Sequence, residues 1–139
     1  MANLTDSVKA VALCNELKNN GSPTGINGLV IDTLGWNQAT GLMELGVIDT
    51  TVDYKSQESA DASTWADIVG KALPQISAAG GNQVYAIEVP RGTGTKRWVK
   101  FLPLVGNGST GAHIAIVGLL SGYSTIVSDV AAADMGGVV

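Results

Sequence analysis

Residues 49–58 alternate more clearly than any other stretch of the chain. Val52, Tyr54 and Ser56 fall on one face, and Thr51, Asp53, Lys55 and Gln57 on the other. A period of two with one wholly polar face predicts a strand that covers a core on one side and meets water on the other. Two further alternating runs, 84–89 and 97–104, flank Pro90, Gly92 and Gly94. In the second run Trp98, Lys100 and Leu102 point one way while Arg97, Val99 and Phe101 point the other. Pro and Gly between β-branched and aromatic runs predict a β-hairpin, here with a basic tip.

The remaining pattern is also strand and turn. Leu29, Val30 and Ile31 form a compact apolar run ending at Asp32; residues 35–38 read as a turn and 39–45 as a short strand. Residues 59–65 are a polar reversal ending in Trp65, expected to pack on an edge, and 70–82 read as a connection. In 112–120, Ile114 and Ile116 oppose His113, Ala115 and Val117. Residues 1–17 fit either a helix capped at Thr5-Asp6-Ser7, with Val8, Val11 and Ala12 on one face, or a strand. The strand is preferred because everything downstream is β. Short strands at regular spacing predict an all-β fold, an antiparallel β-sandwich or jelly roll, as one domain over 1–139. Residues 1–27 are then an N-terminal arm or first strand, and 121–139 a C-terminal arm. The tail is apolar, with Val130, Met135, Val138 and Val139, where a free tail is usually polar. It is expected to pack on its own domain or to act as an arm on a neighbouring subunit.

Composition narrows the function classes. A chain of 139 residues is one ordinary domain, able to bury about two-thirds of its unfolded surface. Charged residues make up only 14%, against roughly 25% on average. Either Ser, Thr, Asn and Gly neutralise the surface, or copies of the chain or a partner cover much of it. A net charge of −4 and a pI near 4.7 argue against a nucleic-acid partner. Cys14 is alone, which leaves no internal disulfide and no cysteine metal spacing. No run approaches the roughly 20 apolar residues that cross a bilayer, and Asp6 interrupts any secretory signal, so no membrane is expected as a partner. The expectation is a soluble product made in a cytoplasm.

Reactive chemistry is not expected. His113 is the single histidine and lies among small apolar residues on a strand, so no Ser-His-Asp arrangement is built on it. One His, one Cys and scattered carboxylates make no metal set, and no cofactor is expected. Gly92-Thr93-Gly94-Thr95-Lys96 lacks the spacing and the following helix of a phosphate loop. Arg91, Lys96 and Arg97 concentrate charge in a chain with 8 basic residues; they form a solvated turn or a contact for an acidic surface. Trp36, Trp65 and Trp98 either line a sugar site or pack in core and edge.

Three stretches carry a family resemblance. They are Val30-Ile31-Asp32-Thr33-Leu34-Gly35-Trp36, the run from Tyr54 through Gln57-Glu58-Ser59-Ala60-Asp61-Ala62-Ser63-Thr64-Trp65 to Ile68, and Lys96-Arg97-Trp98-Val99-Lys100-Phe101 followed by residues 111–120. In this order they resemble small jelly-roll capsid cement, or decoration, proteins of tailed bacteriophages. The resemblance implies a non-enzymatic virion protein, made in a host bacterial cytoplasm. It would sit as a homotrimer on the capsid surface and clamp neighbouring major capsid protein subunits. On that reading Arg91, Lys96 and Arg97 are the capsid contact, and the tail with Val130, Met135, Val138 and Val139 is an intersubunit arm. Discoidin-like sugar-binding sandwiches share the serine, aspartate, tryptophan part of the pattern. A carbohydrate-binding sandwich on the virion surface, or a head or tail completion subunit, is therefore the alternative.

Overall fold

Eight strands, each antiparallel to its neighbours, make two four-stranded sheets. They are β1 (Val8–Asn19), β2 (Leu29–Asp32), β3 (Trp36–Ile48), β4 (Val52–Ser59), β5 (Ala66–Ala72), β6 (Gln83–Pro90), β7 (Trp98–Val105) and β8 (Ala112–Tyr123). A computed structural model describes residues 8–19, 28–92 and 94–123, giving the backbone alone for 8, 10–19 and 123. One sheet runs β1-β8-β3-β6 and the other β2-β7-β4-β5. The pairs β1 with β8, β2 with β7, β3 with β6 and β4 with β5 are those of one long antiparallel ribbon, doubled back between β4 and β5. Rolled up, with β3 joining β8 and β4 joining β7, that ribbon is a jelly roll. The expected all-β sandwich is the fold observed, and residues 8–19 are a strand.

Alternation fixes which side chains enter the core. Val52, Tyr54 and Ser56 of β4 are buried, as are Val99 and Phe101 of β7 and Ile114 and Ile116 of β8, each on the face that its period of two assigns. The core closes over two glycines that pair across β3 and β8, Gly41 and Gly118. A Cβ on Gly41 would meet Phe101 and the Tyr54 hydroxyl at 2.5 Å, and one on Gly118 would meet Ile31. Two bare backbones side by side thus let the opposite sheet's aromatic and branched side chains approach closely.

The 83–104 segment is not the expected hairpin. β6 pairs with β3, whereas β7 pairs with β2 and β4 in the other sheet. Residues 91–97 therefore arch from sheet to sheet, about 10 Å apart in such packings. Pro and Gly serve an arch as well as a tight turn, so local composition did not separate the two. β3 also begins earlier than expected. The Trp36 amide closes a turn onto the Thr33 carbonyl at 3.0 Å, and Gly35 takes φ +87, so the reversal is complete before Trp36. β5 extends to Ala72, into the expected connection, and β8 runs to Tyr123, into the expected C-terminal arm.

In a rolled ribbon, alternate loops gather at the same end. Loops 33–35, 60–65 and 91–97 share one end, and 49–51, 73–82 and 106–111 the other. At the second end Asp49 accepts hydrogen bonds from the Thr110 and Gly111 amides at 2.6 and 2.8 Å. These bonds hold its carboxyl below the ordinary carboxylate range. No helix among the described residues is long and apolar enough to cross a membrane.

Candidate functional site

The first loop end gathers the charged and aromatic residues that the sequence singled out, and it gives each basic residue a different environment. Arg91 is buried, and its Nη1 donates to Glu58 Oε2 and to the Lys96 carbonyl, both at 2.9 Å. Its Nε donates to the Pro90 carbonyl at 2.8 Å, and its amide to the Asn37 carbonyl. The Lys96 amide reaches the same Glu58 oxygen at 3.3 Å. Arg91 therefore ties together the end of β4, the start of β3 and both limbs of the arch. Its charge is spent inside the protein rather than shown to a partner.

Arg97 is exposed and differently engaged. It forks onto Asp32, with Nε to Oδ1 at 2.8 Å and Nη2 to Oδ2 at 2.7 Å, and its guanidinium lies 5.1 Å from the centre of the Trp98 ring. Asp32 Oδ1 also accepts from the Leu34 amide at 3.1 Å. The hydrogen bond from Arg97 is the main reason the Asp32 carboxyl lies below its ordinary range, and Asp32 in turn raises Arg97. Thr33 beside it is buried and bonds the Arg97 carbonyl through both its amide and its hydroxyl. Lys96 is exposed, and its ammonium enters no ion pair among the described residues. Between these segments opens a cleft of about 410 Å³, lined by Leu34, Trp36, Lys96 and Arg97 among others, with Leu34 67% exposed at its rim.

The three tryptophans meet separate fates. Trp36 packs half-buried against the core. Trp98 lies beneath Arg97. Trp65 carries Lys100, whose Nζ stands 4.3 Å from the ring centre, and burial lowers the Lys100 ammonium below its usual range. One face of the Trp65 ring is thus covered by the protein's own cation. Trp65 is half-buried and rests on Lys100, on the outer face of the interior strand β7 rather than at an edge.

Two acidic residues with organising roles carried little signal in the sequence. Glu58 anchors the arch across 33 positions of chain, and no local pattern announces such a partner. Asp61 was more legible, since Ser59-Ala60-Asp61-Ala62-Ser63 has the spacing of an Asx turn. Its Oδ1 accepts from the Ser63 and Thr64 amides at 2.9 Å each and from the Ser59 hydroxyl at 2.8 Å. These bonds, Thr64's foremost, push its carboxyl far below the ordinary range. No group of three or more His, Cys, Asp or Glu among the described residues is placed to hold a metal ion. Val130, Met135, Val138 and Val139, the expected intersubunit arm, lie outside the described residues. No family model matches the chain, and no curated protein and no solved structure matches it significantly.

Proposed function

We propose that this protein is a phage virion structural protein, a capsid cement or decoration protein that binds the outside of the assembled head. In this role it clamps neighbouring major capsid protein subunits as a homotrimer. The observation that carries the reading is the jelly-roll strand order, β1-β8-β3-β6 over β2-β7-β4-β5, an architecture found among viral capsid proteins but also among lectins and cupins. The family resemblance selects the first of these. Each copy would bury a modest patch across a subunit boundary. Repetition over the lattice would then convert weak contacts into a stiff shell, and binding only the assembled state would shift the equilibrium toward it. At the loop end, Lys96 and the exposed side of Arg97 offer positive charge to an acidic shell surface, while Arg91 holds the loop in shape.

The sugar-binding alternative gains less from the site, because Lys100 already occupies one face of Trp65. The deciding experiment is co-sedimentation of the purified protein with assembled heads of the phage that encodes it, beside dissociated capsid subunits. Binding to heads and not to free subunits is expected. Absence from intact heads at saturating protein refutes the proposal.

A further inference from the structure

The two outer faces of the sandwich are built differently. On the β2-β7-β4-β5 sheet the charged outward residues are partnered within the chain, Asp32 with Arg97, Lys55 with Asp67 at 3.0 Å, and Lys100 over Trp65, with Val30 40% exposed beside them. On the β1-β8-β3-β6 sheet the outward positions of β6, β3 and β8 read Ala86, Leu42, Val117 in one cross-strand row and Val84, Glu44, Ala115 in the next. Val84 is 65% exposed and Val117 37%. An antiparallel sheet with one solvated face normally alternates apolar in and polar out. β4 obeys that rule, and these three strands break it in two adjoining rows, next to a third, Glu88-Thr40-Leu119, that is polar on two of them. Glu44 sits in this apolar surface, exposed and without an ion pair among the described residues.

A carboxylate in a covered apolar surface is costly unless its occupant brings a cation. The same chain presents a matching shape. Asp67 pairs with Gln57 and Ala72 with Lys55, so β5 inserts Ile68, Val69, Gly70 and Lys71 opposite the single residue Ser56. Gly70 takes φ +75 in this bulge, and Val69 stands 97% exposed at its tip. Two residues on, Lys71 has no ion pair among the described residues. The bulge is thus an apolar knob with a cation beside it, on an edge strand.

We infer that the outer face of β3, β6 and β8 is the seat for the β5 bulge of a second copy of this chain. Val69 rests on the Ala86-Leu42-Val117 row, and Lys71 meets Glu44. Knob and seat are different surfaces, so the contact is heterologous and must close into a ring or run on as a filament. The knob stands on an edge strand of one sheet and the seat on the outer face of the other, and the homotrimeric reading above corresponds to the closed ring. This inference rests on the homo-oligomeric part of the function proposed above and does not require a shell to be bound.

The test uses the full chain and two readouts, mass in solution by sedimentation velocity and co-sedimentation with phage heads. Val69→Ser, Glu44→Lys and Lys71→Glu all alter exposed or half-exposed positions, and circular dichroism checks that each variant folds. Each single variant should weaken self-association by about tenfold or more. The double charge swap Glu44→Lys with Lys71→Glu should restore it to near the wild-type level. A wild-type chain that stays a monomer at about 100 µM (well above the micromolar range of specific self-association), or single variants that associate as well as wild type, overturns the inference. Loss of head binding by Glu44→Lys in a monomeric wild type would assign the face to the shell instead. Normal self-association without head binding would overturn the cement reading and leave the ring standing.

Discussion

The Tyr54 hydroxyl donates to the Gly41 carbonyl at 3.1 Å, crossing from one sheet of the sandwich to the other. The contact is possible only because Gly41 has no side chain, since a Cβ there would lie 2.5 Å from that same hydroxyl and from the Phe101 ring. Gly41→Ala should therefore destabilise the fold by overpacking, by about 1–3 kcal/mol, or roughly 3–12 °C in Tm. Gly92→Ala is the control, because nothing lies within 4 Å of its Cβ position. Thermal melts of both variants should separate them clearly; equal Tm values would mean that the sheets do not approach as closely as described.

Arg91 and Arg97 are near in sequence and should behave oppositely. Arg91→Ala leaves Glu58 and the Pro90 and Lys96 carbonyls without their shared donor in a largely buried site. It should cost about 2–3 kcal/mol. Arg91→Lys should rescue little of this, because an ammonium cannot reproduce the guanidinium fork. Arg97→Ala removes an exposed, solvent-screened ion pair and should cost far less than Arg91→Ala. Urea unfolding at neutral pH measures all three, and a loss at Arg97 as large as at Arg91 would contradict the placement.

Acid should weaken the fold through its hydrogen-bonded aspartates. Asp32, Asp49, Asp61 and Asp67 all lie below the ordinary value of 3.8 in the folded protein. A group whose folded pKa is depressed contributes stability that is complete above its unfolded pKa and is lost as pH falls through the folded one. Tm should accordingly hold from pH 7 to about pH 5 and then fall steadily below about pH 4. Asp61→Asn keeps an acceptor oxygen and removes the charge. The variant should be less stable than wild type at pH 7, with the gap narrowing toward pH 2. A gap that stayed constant with pH would remove Asp61 from the account.

On the proposed function, Lys96→Glu together with Arg97→Glu should reduce attachment to assembled heads by about tenfold or more in low salt, and the wild-type affinity should fall as salt rises. The variants must melt close to wild type for the comparison to count. Attachment unchanged by both substitutions and insensitive to salt would move the shell contact away from this loop.

Strand identity could be read from the chain itself wherever inside and outside differ in chemistry. In β4 the inward Val52, Tyr54 and Ser56 alternate with Asp53, Lys55 and Gln57, and that contrast alone defines both the strand and its faces. In β3, β6 and β8 the outward positions mix Leu42, Val84, Ala86 and Val117 with Thr40, Glu44 and Glu88, so the contrast between the two faces is weaker than in β4. The glycine and proline of the arch say that the chain reverses. They cannot say whether β7 returns to the same sheet, because that depends on which distant strands offer it hydrogen bonds. Charge was visible at Arg91, Lys96 and Arg97 as composition. Its availability was settled by Glu58 and Asp32, 33 and 65 positions away. Local alternation and turn chemistry act over a few residues, so the sequence by itself determined an all-β chain with these strands. Pairing order, burial of Arg91 and exposure of Val69 arise from contacts between remote segments, and only the rolled-up ribbon decides them.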